Sequence, residues 1–172
     1  ENISSCLIHM TYVPYISSAD ELKTKPTQHS VKQLLNAGIQ PDIIMCRCEK
    51  EINEESLNKI ALFCNVKKSN VIPALNAKSI YEVPSLYYKA GLDKSLLIKF
   101  GYKEKNHKLN LRPWHQVVKK LQKNKKYIEI AVVGKYTDLK DSYKSLSEAI
   151  AHGGLANGAH VNIKWINSEK LS

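Results

Sequence analysis

The sequence predicts an α/β fold, a mainly parallel sheet with flanking helices, from three observations. Short apolar runs of strand length alternate with segments whose apolar residues recur at i, i+3, i+4 and i+7, the spacing of a helix with one buried face. The run Ile43-Ile44-Met45-Cys46 is apolar without alternation, as expected of a parallel strand covered on both faces. The same pattern starts again after a basic stretch at 103–126, so a second unit is expected there.

Each element follows from local chemistry. Residues 6–13 read as a buried strand, ended by Pro14 and the turn-forming Ser17-Ser18-Ala19-Asp20. Thr27 is expected to open a helix with Val31, Leu34 and Leu35 on one face. Gly38 should stop it, because glycine accepts the left-handed backbone that ends helices. Pro41-Asp42 leads into the strand that begins at Ile43. Asn53 can cap a helix whose first turn carries Glu54 and Glu55, with Leu57, Ile60, Ala61 and Cys64 on its inner face. Residues 71–75 form a third strand, which Pro73 moves toward an edge or a strand end because proline brings no N–H to the ladder. Helical sequence fills 79–102. Asn110 and Pro113 can open a further helix with Trp114, Val117, Val118 and Leu121 inward. A strand at 128–134, a helix at 141–152 and a strand at 160–166 complete the reading. This β-α-β start is expected not to close a core of its own.

With 172 residues and 43% hydrophobic content, the chain can bury a real core. No apolar run approaches the roughly 20 residues that a membrane-spanning helix needs. The chain starts with Glu1 and no signal-peptide pattern follows, so this terminus is expected to come from a cut. Cys6, Cys46, Cys48 and Cys64 include a C-x-C pair but no zinc-ligand spacing. They are expected to be small structural residues in a reducing cytoplasm. His9, His29, His107, His115, His152 and His160 show no ligand pairing, and no metal site is expected in the chain.

The net charge of +10 is concentrated. Residues 103–126 hold nine Lys/Arg against Glu104 alone, or +8 of the total. That segment reads as a solvated linker and helix face, or as the nucleic-acid patch of a non-enzymatic basic α/β module. Trp114 supplies no aromatic interleaving on which bases could stack.

The segment Lys23-Thr24-Lys25-Pro26-Thr27-Gln28 carries the most chemistry. It gathers two ammonium groups, two hydroxyls and the free amides of a helix N-terminus, which together can cradle a polyphosphate; an ordinary solvated loop is the alternative. In a parallel sheet ligands sit beyond the carboxyl ends of the strands. Residues 23–28, Arg47 and the residues after Ala74 should all emerge at that edge. Lys59 alone reads as a solvated lysine. Arg47, at a strand end, can present its guanidinium to a ligand or form a structural pair. Gly134-Lys135 lacks the G-x-x-x-x-G-K-[ST] pattern of a phosphate loop.

Three ordered motifs in the first hundred residues resemble the CTP synthase family: Lys23-Thr24-Lys25-Pro26-Thr27-Gln28-His29-Ser30-Val31, Gly38-Ile39-Gln40-Pro41-Asp42 and Lys59-Ile60-Ala61-Leu62-Phe63-Cys64-Asn65-Val66. So do Ser79-Ile80-Tyr81-Glu82-Val83-Pro84, Val133-Gly134-Lys135-Tyr136 and Ala151-His152-Gly153-Gly154-Leu155. The similarity runs over nearly the whole chain, is most diffuse through the basic stretch, and is greatest to bacterial members.

The resemblance implies an internal piece of a ligase. Residues 1–102 would be the C-terminal part of a P-loop NTPase-like synthetase domain, and 103–126 the basic linker and helix. Residues 127–172 would begin a class I glutaminase (glutamine amidotransferase) domain. The implied reaction is the ATP- and Mg2+-dependent amination of UTP to CTP with glutamine-derived ammonia, the last step of pyrimidine nucleotide synthesis, in a cytoplasmic homotetramer. The implied contacts to UTP, and to CTP as feedback inhibitor, are Lys23, Thr24, Lys25, Pro26, Thr27, Gln28 and Lys59. Leu75, Asn76 and Ala77 fall where the family contacts ATP, with Arg47 as a further candidate; the sequence departs there from the Asp-Val common in the family. GTP is implied as an allosteric activator, with neither nucleic acid nor membrane as a partner. The phosphate loop, the Mg2+ carboxylates and the glutaminase triad are not found in these residues, so no catalytic residue is expected and the chain alone should catalyse neither half-reaction.

Overall fold

The computed structural model describes residues 5–102, 109–123 and 126–171, which divide into two compact units, 1–110 and 111–172. The expected basic linker falls in part, at 103–108, 124 and 125, outside the described residues.

In the first unit, β1 (Ile8–Tyr12), β4 (Ile43–Cys48) and β5 (Val71–Leu75) form a parallel sheet in the order β1-β4-β5. A small antiparallel hairpin, β2 (Tyr15–Ile16) and β3 (Glu21–Leu22), follows β1. Helices α1 (Lys25–Asn36), α2 (Glu54–Phe63), α3 (Val83–Lys89) and α4 (Leu92–Lys99) complete the unit. The α/β class and the parallel sheet match the expectation from sequence.

Side-chain alternation along β4 divides the core into two layers. Ile44, Cys46 and Cys48 cluster with Val71, with Val31 of α1, and with Ile60 and Ala61 of α2. Ile43 and Met45 cluster with Ile72 and Ala74, against Tyr87 of α3 and Leu92 and Leu96 of α4. The central strand is therefore covered on both sides, as its unbroken apolar run requires.

The structure departs from the sequence reading in four places. The first strand is shorter than 6–13 and is not buried throughout. Ile8, Met10 and Tyr12 are exposed while Thr11 is buried, because β1 lies at the edge of the described sheet and α3 and α4 pack over β4 and β5 instead. Helix α1 starts at Lys25, not Thr27, since proline is tolerated in a first turn, where its missing N–H has no intrahelical partner to lose. Leu35 is exposed; the buried stripe of α1 is Thr27 and Val31. The helical segment 79–102 is broken into a 3₁₀ turn (Ile80–Glu82), α3 and α4, with Gly91 between the two helices at φ +84°.

The expected helix ends hold. Gly38 stops α1 at φ +78°, with Ile39 N–H donating to the Leu34 carbonyl (3.1 Å) and Gly38 N–H to that of Leu35 (2.9 Å). Asn53 Oδ1 accepts from Ser56 N–H at 2.8 Å, a cap worth about 1 kcal/mol. Glu54 and Glu55 in the first turn of α2 add favourable dipole interactions.

The second unit contains α5 (Arg112–Lys123), β6 (Lys126–Gly134), α6 (Lys144–Ala156) and β7 (Ala159–Asn167). β6 and β7 pair in parallel, joined through α6, which is entered by a 3₁₀ turn (Lys140–Tyr143). Trp114, Val117, Val118 and Leu121 are the half-buried face of α5. Only Thr137, Gly154 and Ala159 are buried among the described residues of this unit, so it has little core.

Gly154 is where α6 meets β7. A Cβ there would lie 2.5 Å from Val161 Cγ2 and 2.9 Å from the Ala159 carbonyl oxygen, whereas nothing lies within 4 Å of a Cβ at Gly153. Gly154→Ala is therefore expected to destabilise this unit by about 1–3 kcal/mol through overpacking. Gly153→Ala should instead stabilise it by about 0.5–1 kcal/mol through helix propensity. Urea unfolding followed by the fluorescence of Trp165 on β7 checks both signs.

Candidate functional site

Because β1, β4 and β5 run parallel, the loops that leave them emerge at one sheet edge. Backbone hydrogen bonds hold them together: Val13 N–H to the Arg47 carbonyl (2.8 Å), Asn76 N–H to that of Cys48 (3.1 Å), and Lys23 N–H to that of Pro14 (2.9 Å). Residues 23–28, Arg47 and 75–77 thus converge on the carboxyl edge.

On the α1–α2 side of the sheet, the β2–β3 hairpin and the start of α2 enclose a cleft of about 380 Å³. Thr24 and Lys59 both line it, with Tyr15, Leu22, Lys50, Asn53 and Ser56 and the carboxylates of Asp20, Glu21, Glu51 and Glu55. Lys23 is ion-paired with Glu21, and both are about half exposed. Lys25 and Pro26 are exposed beside the first turn of α1. No side chain caps that helix and its first turn has no acidic residue, so two lysines flank an N-terminus whose dipole no carboxylate of its own first turn offsets.

The two threonines face different ways. Thr24 Oγ1 accepts from Gln28 Nε2 at 3.0 Å, which ties the glutamine back onto the start of the helix. Thr27 is fully buried, and its hydroxyl donates to Thr11 Oγ1 (3.0 Å) or the Tyr12 carbonyl (3.3 Å). It bolts α1 to β1 and does not reach the cleft.

The opposite side of the edge carries Arg47. Its Nη2 donates to Asn76 Oδ1 at 2.8 Å. Leu75 packs against the core, Ala77 is half-buried, and Asn76 is exposed. Tyr12 donates its hydroxyl to Glu49 Oε1 at 3.1 Å, a bond that pushes its pKa above the usual phenol value.

Sequence reasoning missed Tyr15, Lys50, Asn53 and Ser56 as cleft residues. The signal was the charged triplet Glu49-Lys50-Glu51 directly after the apolar β4, at the end of a strand where ligands sit. Lys50 Nζ lies 5.1 Å from the Tyr15 ring centroid, a cation–π contact that links this loop to the hairpin.

The cysteines are structural. Cys46, Cys48 and Cys64 are buried, and burial pushes the thiols of Cys46 and Cys64 up to about 12 and about 11. His9 Nε2 hydrogen-bonds Ser30 Oγ at 2.9 Å, and His160 stacks on Tyr127. Among the described residues, no three His, Cys, Asp or Glu side chains group to hold a metal ion, and no helix is long and apolar enough to cross a membrane.

The family model described as the CTP synthase N-terminus matches residues 1–102, more than half of the chain and all of the three-stranded sheet and its cleft. The chain belongs to the CTP synthase family. It is 52% identical over 165 residues to a CTP synthase of Parvibaculum lavamentivorans, 53% over 165 residues to one of Novosphingobium aromaticivorans, and 53% over 162 residues to one of Acidiphilium cryptum. These alignments cover 94–96% of the chain but 30% of each relative, so the chain spans under a third of the length of the curated CTP synthases it matches. Relatives that are all named CTP synthase give the nucleic-acid reading of 103–126 no support.

Proposed function

We propose that the chain is part of a CTP synthase, an ATP-dependent ligase that aminates UTP to CTP, and that its sheet edge binds both nucleotides. The observation that carries this reading is the meeting of Thr24 and Lys59 in one cleft beside the uncapped, lysine-flanked N-terminus of α1. Lys23, Lys25 and Lys59 supply point charges to the UTP triphosphate, and the first amides of α1 face the same anion. CTP shares that triphosphate and ribose, so the same contacts serve it as feedback inhibitor. Thr24 and Gln28 hold the segment in shape from within, and Thr27 anchors it to β1.

In this reading Arg47, Asn76 and Ala77 contact ATP on the other side of the edge, and Leu75, whose side chain packs into the α1–α2 layer, offers only its backbone. ATP phosphorylates O4 of the uracil, which converts a poor leaving group into a phosphate ester. Ammonia from glutamine then displaces phosphate to give CTP, and cations stabilise the charge that develops. Mg2+ would supply charge neutralisation on the phosphates. The metal-ligand grouping it needs does not occur among the described residues, so no step is assigned to it in this chain. Glutamine, GTP as activator, the homotetramer, the synthetase–glutaminase division of the chain and a cytoplasmic setting belong to the same proposal for the whole protein.

Titration of the chain with UTP in a calorimeter tests the reading. Lys23→Ala, Lys25→Ala and Lys59→Ala are each expected to weaken UTP about tenfold, the value of one charge-assisted hydrogen bond. Single-stranded oligonucleotide should bind more weakly than UTP at moderate salt. Unchanged UTP affinity in all three variants would sink the assignment.

A further inference from the structure

We propose that Asn76 is a positioning residue that fixes the Arg47 guanidinium for ATP, on the sheet face opposite the Thr24–Lys59 cleft. The inference rests on the reading of this edge as a nucleotide site. Tyr12, Arg47 and Ala74 are partners in register across β1, β4 and β5, so they share the face that carries Met45 and Ile72. Arg47 is half-buried at the carboxyl end of that face, between the exposed ring of Tyr12 and Asn76.

The bond from Nη2 to Asn76 Oδ1, at 2.8 Å, is the one side-chain hydrogen bond of Arg47 among the described residues, and no carboxylate there pairs with it. Its direction is set by chemistry. A guanidinium has only donors, so the amide of Asn76 must turn its oxygen to it. Asn76 is itself held, since its N–H continues the β4–β5 hydrogen bonding to the Cys48 carbonyl. A fixed backbone thus holds an acceptor, and the acceptor holds the plane of a long side chain whose charge stays free for a ligand. Ordering arginine before the nucleotide arrives removes an entropy cost that binding would otherwise carry.

The test is ATP and UTP titration of the chain and of Asn76→Ala and Asn76→Asp, with the Arg47 Nε–H relaxation followed by NMR. Asn76→Ala should mobilise Arg47 and weaken ATP about five- to tenfold while UTP affinity holds. Asn76→Asp keeps the acceptor oxygen and should restore both the ordered arginine and ATP binding. The inference falls if Asn76→Ala leaves ATP affinity unchanged, if Asn76→Asp fails to rescue it, or if UTP weakens equally, which is general loosening. If the unsubstituted chain binds UTP but not ATP, the ATP reading of the edge fails and takes this inference with it.

Discussion

Ile44→Ala is expected to lower the stability of the first unit by about 2–5 kcal/mol, the range for deleting a buried Ile or Leu side chain without full collapse of the space. Ile44 is fully buried on the central strand, in register with His9 on one side and Val71 on the other. It belongs to the layer that α1 and α2 cover. A domain has roughly 5–15 kcal/mol of stability in all, so this one change removes a large share of it. Leu62→Ala is the contrast. Leu62 sits on α2 but is 77% exposed, and its loss should stay within about 0.5 kcal/mol. Urea midpoints for the two variants decide the matter; equal effects would mean that the core is not where the structure has it.

The second large effect is alkaline destabilisation through the buried thiols. Burial raises Cys46 from the ordinary 9.0 to about 12 and Cys64 to about 11. The folded chain therefore holds these protons more tightly than the unfolded chain does. Their contribution to stability is fully present below pH 9 and is lost as pH rises through 9 towards 11 and 12. For Cys46 alone the full loss is on the order of 4 kcal/mol. Lysines and tyrosines titrate in the same range, so the measurement is a difference. The fall in urea midpoint between pH 8.5 and 11 should be shallower in Cys46→Ala than in the unsubstituted chain, after correction for their offset at pH 8. Parallel curves would contradict the burial argument.

Much of the fold was legible because its signals are local. Asn53 with Glu54 and Glu55, Gly38 after Val31, and the unbroken Ile43-Ile44-Met45-Cys46 run each state a structure that a few residues decide. The failures came from information that is not local. Nothing within residues 6–13 says that β1 takes an edge place in the described sheet, so the exposure of Met10 and Tyr12 could not be read from them. Pro73 did carry that kind of information for β5, because a missing N–H is a statement about neighbours, and β5 lies at an edge of the described sheet. The candidate site divided in the same way. The lysines and the helix start of 23–28 were visible as chemistry. That Thr27 points into the core, and that Tyr15 and Lys50 share a cleft with Lys59, depends on how β1, the hairpin and α2 come together.

The register of the sheets also bears on how the chain reaches its native state. Ile8 pairs with Ile43, Ile44 with Val71 and Lys126 with Ala159, so the strands of both parallel sheets meet only after a helical crossover has closed. The β2–β3 hairpin stands outside the three-stranded sheet and cannot seed it. Loop-closure entropy must be met before strand pairing returns anything, which places folding toward the slow, non-local end of the range for small domains. During that delay the apolar β4 segment is unpaired, and the same residues that make the most secure core are the ones most exposed to aggregation.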